Sequence, residues 1–150
     1  MGKTWVLVAD SSSARFFSTG APVAPLEEFD AILHPEGVAH ARELTSDRPG
    51  RSFDSFGKGR HAMESPTGPK DQEAKNFAKK LCDRIDAARS RSELERVVLV
   101  APPDFLGLLR DSLPEKSRRM VELEIDKNLV KLSTAEIRAH LPEKLYSALP

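Results

Sequence analysis

The chain contains a single cysteine, Cys82, so no disulfide can form within it. Its formal charge is balanced, with 23 Lys and Arg residues against 23 Asp and Glu residues. A protein that coats DNA or lies on a membrane surface needs a strong basic excess, so the composition disfavours both of these classes. Any contact with nucleic acid must be local to one part of the chain.

Long hydrophobic runs are also missing. The apolar stretch near the N-terminus ends at Asp10 and is shorter than the hydrophobic region of a signal peptide or a membrane span. Val6 occupies the position at which an N-myristoylation signal requires Ser or Thr. We therefore expect a cytoplasmic protein without membrane contact. With 150 residues, of which 39% are hydrophobic, the chain is long enough for one core, and we predict a single domain over residues 1–150.

Familiar catalytic and metal-binding motifs are absent from the sequence. The serines at positions 11–13 lack the G-x-S-x-G context of a nucleophile elbow, and there is no P-loop motif. The histidines show no spacing typical of metal ligands; they are His34, His40, His61 and His140. We expect no metal and no cofactor. Cys82 lies on the apolar face of a predicted helix, which favours core packing over a nucleophilic role.

Hydrophobic periodicity predicts strands first and alternating strands and helices later. Three strands, at Thr4–Ala9, 14–19 and 26–33, are expected to form a meander. An amphipathic helix is predicted from residue 70. Its apolar positions are Ala74, Phe77, Ala78, Leu81, Cys82, Ile85 and Ala88. Its outer residues, such as Asp71 and Lys75, mix both signs of charge, as on a solvated face.

The second half of the chain predicts a central strand at 96–101, because this run is continuously apolar. A helix from Asp104, a helical turn at 115–120 and a strand at Val121–Ile125 follow. A capping box at 133–136 opens a last helix that carries Ile137 and Leu141. These elements predict an α/β fold in which a mixed β-sheet carries helices on its faces.

Residues 34–69 show neither helical nor strand periodicity, and connections of this length are often functional. Between positions 48 and 61, four cations stand against Asp54, which gives four minus one, or +3. The cations are Arg48, Arg51, Lys58 and Arg60. Gly57 and Gly59 allow the backbone to approach a ligand closely. The segment is therefore a candidate site for phosphate, nucleic-acid backbone or carboxylate; the alternative is a surface loop with solvated charges.

Other residues of this segment suggest further contacts with a nucleic acid. His61 adjoins the cations and could serve as a general base or bond a ribose or phosphate, although a surface histidine without a role is the alternative. Phe53 and Phe56 lie among the cations, a pattern that suits stacking on bases. Packing of these two rings onto the body of the protein is an equally good interpretation.

A different set of residues points to nuclease chemistry. Asp10, Asp104 and Asp126 each follow a predicted strand. If these strands are parallel, their carboxyl ends meet at one edge of the sheet, where three carboxylates could hold Mg²⁺. The alternative, which we favour, is that Asp104 and Asp126 cap helices or turns.

Several motifs resemble the bacterial host attachment protein family over roughly residues 4–141. They are TWVLVAD at 4–10, HPEG at 34–37, SDRPGRSFDS at 46–55, GRHA at 59–62, LVAPP at 99–103, FLGLL at 105–109 and EIDK at 124–127. The resemblance implies a part in the attachment of bacteria to host cells.

This family is in turn similar to the middle domain of archaeal and eukaryotic peptide release factors. The similarity implies an α/β fold of ribonuclease H-like topology, with a Gly-rich loop before a long helix. The corresponding loop here contains Gly59, Arg60 and His61 where release factors have Gly-Gly-Gln. The glutamine that positions water is therefore missing, and peptidyl-tRNA hydrolysis is not expected.

The sequence thus favours a non-enzymatic domain that binds RNA or a ribosomal surface through residues 47–61. A magnesium-dependent nuclease and an attachment factor that recognises another protein are the two alternatives. The sequence does not indicate an oligomeric state.

Overall fold

The computed structural model describes residues 3–34 and 69–146. Within these ranges five strands form one open sheet. The strands are β1 (Thr4–Ala9), β2 (Ser13–Thr19), β3 (Glu27–Leu33), β4 (Arg96–Val100) and β5 (Val121–Ile125). The helices are α1 (Pro69–Ser90), α2 (Pro103–Ser112), α3 (Glu115–Arg118) and α4 (Thr134–Ala139).

The strand order is β3-β2-β1-β4-β5. Strand β2 pairs antiparallel with both β1 and β3, whereas β4 pairs parallel with β1 and β5. Only β2 therefore runs against the other four strands. This arrangement confirms the predicted α/β fold with a mixed β-sheet.

Strand β1 is buried along its whole length because strands flank it on both sides and other elements cover both faces of the sheet. Alternate side chains of a strand point to opposite faces. Trp5, Leu7 and Ala9 pack on one face, whereas Val6 and Val8 pack on the other. A strand in this position must be apolar at successive residues, which explains the continuous hydrophobic run.

The first face is covered by α1 and α2. The predicted apolar positions of α1 are buried from Phe77 onward, and Ala74, one turn earlier, is half-buried against the same core. Phe105 and Leu109 of α2 complete this layer. The predicted helical period of α1 is therefore confirmed, and Trp5 and Phe16 of the sheet are buried in the same layer.

The second face is covered by the chain that follows β5. Leu129, Val130 and Ile137 pack there against Val98 and Val100. Helix α4 begins with the predicted capping box, whose residues are Ser133 and Glu136. The Ser133 hydroxyl accepts a hydrogen bond from the Glu136 backbone N–H at 3.1 Å, and the Glu136 carboxylate accepts one from the Ser133 N–H at 3.0 Å.

Helix α4 is shorter than the sequence pattern predicted. It ends at Ala139, and Leu141, expected on its last turn, lies beyond it. The residue before a proline is disfavoured in the α region, so Pro142 explains why the helix stops early. Leu141 is nevertheless buried in the second core layer.

Cys82 is buried in the first core layer, and its thiol donates a hydrogen bond to the Leu109 carbonyl at 3.2 Å. Burial raises its pKa from 9.0 to about 12. The contribution of the neutral Cys82 thiol to the free energy of unfolding is thus fully present below pH 9. It is lost as the pH rises toward 12, because the thiol ionises at a lower pH in the unfolded state than in the folded state. Between pH 8 and pH 10, the free energy of unfolding should fall in both the wild-type protein and the Cys82→Ala variant. We expect the fall to be about 1.4 kcal/mol larger in the wild type.

Urea unfolding at pH 8, 9 and 10 measures this difference. The Cys82→Ala variant carries every other titrating group and is therefore the matched reference. Parallel pH dependence of the two proteins would contradict the expectation.

Candidate functional site

The sheet presents a crevice between the carboxyl ends of β1 and β4. After β1 the chain turns back into β2 on one side, and after β4 it passes through α2 to β5 on the other side. Neighbouring parallel strands whose connections leave in opposite directions form a topological switch point, where open α/β sheets bind their ligands. The crevice has a volume of about 690 Å³. We call it the carboxyl-edge crevice.

Four segments contribute its lining. The polar residues are Asp10 and Ser11 after β1, Asp71 and Lys75 on α1, Asp104 on α2, and Asn128 after β5. The apolar residues are Ala74, Pro102, Phe105 and Leu108. Among the described residues, the ionisable lining is three carboxylates and one ammonium group. The crevice therefore combines hydrogen-bond acceptors with an apolar wall.

Asp10 is fixed by the tight turn between β1 and β2. Its Oδ1 accepts hydrogen bonds from the backbone N–H groups of Ser12 at 2.8 Å and Ser13 at 2.9 Å. This is the hydrogen-bond pattern in which Asp stabilises a turn through the backbone that follows it. The carboxylate therefore has a structural role, with its orientation at the crevice set by the turn.

Asp104 does not have the capping role that the sequence favoured. The N-cap position of α2 is Pro102, which makes no side-chain capping bond, and Asp104 lies in the first helical turn. The capping prediction for Asp104 is therefore wrong. The positive end of the helix dipole favours a carboxylate at this place, which explains the residue without a hydrogen bond.

Asp126 follows β5, as predicted, but does not line the crevice. In the parts of the chain that the structure describes, no group of three or more His, Cys, Asp or Glu residues is arranged to hold a metal ion. The three aspartates of the nuclease hypothesis are therefore not assembled into one site. Strand β4 separates β5 from β1, which places Asp126 farther along the edge.

The predicted anion-binding residues lie outside the described residues. They are Arg48, Arg51, Gly57, Lys58, Gly59, Arg60 and His61. Phe53 and Phe56 lie in the same undescribed stretch, residues 35–68. Their predicted roles stay predictions.

Both ends of this stretch are described, and both are at the carboxyl edge. His34 follows β3, and its backbone N–H donates a hydrogen bond to the Ser12 carbonyl at 2.9 Å. The His34 ring stacks on the ring of Phe77 in α1, with the ring centroids 4.8 Å apart. At the other end, α1 begins at Pro69, and Asp71 lines the crevice. The chain therefore leaves and re-enters the described structure beside the carboxyl-edge crevice.

Sequence reasoning missed part of the crevice. Asp71 and Lys75 appeared only as members of a solvated helix face, and Asn128 was not singled out. Both α1 residues are indeed exposed, but the start of the helix places them next to the end of β1. The position of Asp71 and Lys75 near the start of the helix could have indicated their place in the crevice. The first turn of a helix that packs on a parallel sheet lies near the ends of the strands.

A family model described as "Protein required for attachment to host cells" matches residues 5–141. The chain belongs to this family. The family model covers both β1 and Asp104, so the crevice lies within the matched region. No curated protein sequence matches this member of the host attachment family.

Solved structures show a distant similarity to the host attachment protein. One is the crystal structure of the archaeal translation termination factor aRF1, with a TM-score of 0.43 and 10% sequence identity. The match covers 92% of this chain and 37% of that one. A second, described as an archaeal protein, has the same TM-score and identity and is covered over 36% of its length. The chain thus spans little more than a third of these structures, and the similarity is too low to transfer a residue or an activity.

Among the described residues, no helix combines the length and the apolar character needed to cross a membrane.

Proposed function

We propose that this member of the host attachment family is a non-enzymatic RNA-binding domain whose contact surface is the carboxyl edge of its sheet. Ribosome association through exposed ribosomal RNA is one form of this function. The proposal combines the cationic segment around residues 48–61 with the carboxyl-edge crevice.

The observation that carries the proposal is the position of the two ends of the 35–68 stretch. His34 and Pro69 flank it, and each is at the edge that contains the crevice. The chain that carries these cations therefore leaves and re-enters the described structure beside the acceptors of the crevice. A single-stranded RNA offers phosphates to the first set of groups and base amino and ribose hydroxyl groups to the second.

The crevice alone does not suit a free phosphate, because Asp10, Asp71 and Asp104 outnumber Lys75. Carboxylates accept hydrogen bonds from exocyclic amino groups and ribose hydroxyls, and Asn128 can both donate and accept. Arg48, Arg51, Lys58 and Arg60 would meet the phosphates. In this proposal, the cations of the segment serve the phosphates and the acceptors of the crevice serve the base and ribose of a nucleotide.

Binding rather than catalysis is proposed because the available groups suit recognition. The Oδ1 atom of Asp10 is engaged in the β1–β2 turn. The triplet at positions 59–61 places Arg60 and His61 where a release factor has Gly and Gln. The side chain that would orient a hydrolytic water is therefore missing from that position.

RNA binding is expected to depend on salt. If three or four cations each neutralise one phosphate of a single strand, the logarithm of affinity should fall with the logarithm of salt concentration with a slope of about −2 to −3. The double variant Arg51→Ala, Arg60→Ala should lower the magnitude of this slope by about 1.4. Fluorescence anisotropy of a labelled oligouridylate, titrated at several KCl concentrations, measures both quantities.

A matched control removes two cations at the opposite edge of the sheet. Lys116 and Lys144 are both exposed and lie far from the crevice along the strand direction. The variant Lys116→Ala, Lys144→Ala should keep the wild-type slope. An affinity independent of salt, or the same loss in both double variants, would refute the proposed contact surface.

The family description favours a second candidate, a factor that supports attachment to host cells through contact with another protein. Cell fractionation distinguishes the two candidates. Co-sedimentation with ribosomes that is abolished by RNase supports the RNA-binding function, whereas recovery at the cell surface supports the attachment function.

A further inference from the structure

A second cleft, of about 550 Å³, lies at the opposite edge of the sheet, where β1 and β3 begin and α1 ends. We call it the amino-edge cleft. Its principal walls are Trp5, Ser18, Glu27, Phe29, Ser92 and Glu93. None of these residues belongs to the carboxyl-edge crevice.

The strand register explains why a hollow forms here. Trp5 of β1 pairs with Ser18 of β2, and Ser18 pairs in turn with Glu27 of β3. Paired residues of neighbouring strands project from the same face, so these three side chains form one row. The small side chain in the middle of the row leaves space between the indole and the carboxylate.

A bulge in β3 supplies the aromatic wall. Phe16 pairs with Asp30 and Phe17 pairs with Glu28, which makes Phe29 the extra residue. Its ring lies 4.8 Å from the Trp5 ring and 6.1 Å from the Phe16 ring, and Phe29 is still 42% exposed. A partly exposed ring that packs against two buried rings is restrained, so a partner that binds it loses little side-chain entropy.

The same aromatic rings already bind one guanidinium group. The Arg84 Cζ atom lies 5.0 Å from the Phe16 ring centroid, 5.9 Å from that of Phe29 and 6.0 Å from that of Trp5. Arg84 also forms an ion pair with Asp30 on the bulge. The molecule thus contains, beside the cleft, an example of an arginine held by an aromatic face and a carboxylate together.

The cleft also offers a carboxylate to a cation. Among the described residues its ionisable lining is Lys3, Glu27, Glu28 and Glu93. Arg15 pairs with Glu28 and Arg91 pairs with Glu93, so Glu27, beside Phe29, is the carboxylate best placed to accept another donor.

The C-terminal end of α1 also favours positive charge. Ser92, with φ of 62°, follows the helix, and the Glu93 N–H donates to the Ala88 carbonyl at 2.8 Å. The negative end of the helix dipole lies at this last turn and attracts cations.

We propose that the amino-edge cleft is a docking site for a basic segment of a partner protein, with an arginine or lysine side chain stacked on Phe29 and bonded to Glu27. The segment docks through its side chains, because the bulge and the charged residues of β3 oppose the addition of another strand. This inference goes beyond RNA binding and concerns a separate surface.

The chain contains one tryptophan, and that residue lines the cleft, so its fluorescence reports occupancy directly. The probe is a tetra-arginine peptide with blocked ends, and a tetra-glutamate peptide of the same form is the control. We expect a saturable change in Trp5 emission with the first peptide and none with the second.

Two substitutions separate the aromatic and the charged contributions. Phe29→Leu keeps an apolar side chain but removes the π face, and Glu27→Gln removes the charge. Each should weaken peptide binding about twofold to fivefold, and the double variant about fivefold to tenfold. Leu33→Ser and Glu122→Gln are the matched controls, because both positions are exposed and neither lines the cleft. Phe29→Tyr should bind like the wild type.

Three outcomes would overturn the proposal. The first is a linear, unsaturable response to tetra-arginine. The second is wild-type affinity in the double variant, with circular dichroism confirming that it is folded. The third is a stronger response of Trp5 to oligouridylate than to the peptide, which would assign the cleft to nucleic acid. Loss of RNA binding in the Arg51→Ala, Arg60→Ala variant leaves this test unaffected, since the two surfaces lie at opposite edges.

Discussion

Replacing Phe77 with alanine is expected to lower the free energy of unfolding by about 3–5 kcal/mol. Phe77 is fully buried in the core layer beneath α1. Its ring lies 4.8 Å from that of His34 and 6.0 Å from that of Phe105. Truncation removes the apolar contacts of a whole ring and leaves a cavity that α1, packed on the sheet, cannot close. Urea unfolding at neutral pH measures the loss.

The same substitution should weaken RNA binding, because Phe77 supports His34 at the point where the chain enters residues 35–68. Phe17→Ala is the matched control. Phe17 is equally buried but packs on the other face of the sheet, in the second core layer. At a temperature where both variants are folded, we expect a loss of affinity only in Phe77→Ala. An equal loss in both variants would show that His34 does not position the RNA-binding segment.

Elements with one strong local signal were predictable from the sequence. The continuous hydrophobic run of β1 and the helical spacing of apolar residues in α1 each predict an element and its buried positions. The structure confirms both predictions. Features that depend on contacts between elements were not predicted from the sequence. The bulge at Phe29 is an example, because the alternation of β3 does not show that one residue lacks a partner on β2. A bulge is set by pairing between strands, which one strand alone does not encode.

The candidate site was predictable to the extent that strand ends define it. Asp10 and Asp104 were expected at one edge because each follows a strand, and both line the carboxyl-edge crevice. Asp126 met the same criterion but does not line it, since β4 lies between β5 and β1. Asp71 and Lys75 enter from α1, at the end of a long connection. Their place depends on how that helix crosses the sheet, which is a tertiary property.

Arg138 is expected to contribute strongly to joining the two ends of the described chain. Its guanidinium donates to four backbone carbonyls, at distances from 2.7 to 3.2 Å. The acceptors are Pro22, Ala24, Pro142 and Glu143. The first two belong to the connection between β2 and β3, and the last two follow α4. One side chain therefore holds the C-terminal part of the chain against the meander.

Arg138→Met should lower the free energy of unfolding by about 1–3 kcal/mol, because the aliphatic replacement leaves the half-buried carbonyls of Pro22 and Ala24 without their donor. Arg138→Lys should recover less than half of this loss, since an ammonium group cannot reach both pairs of carbonyls with the geometry of the planar guanidinium. Chemical denaturation of the two variants measures the difference.

The control for Arg138 is Arg110→Met. Arg110 is exposed and forms an ion pair with Glu124, and such surface pairs contribute about 0–1 kcal/mol. If Arg138→Met cost no more than Arg110→Met, the four carbonyl contacts would contribute no more than solvent does. The C-terminal residues would then be held mainly by other contacts, such as the burial of Ile137, Leu141 and Leu145 and the hydrogen bond from the Leu145 N–H to the Pro22 carbonyl at 3.0 Å. A loss several times larger in Arg138→Met would instead establish that the hydrogen bonds from one guanidinium to four carbonyls help to fix how this part of the chain packs on the sheet.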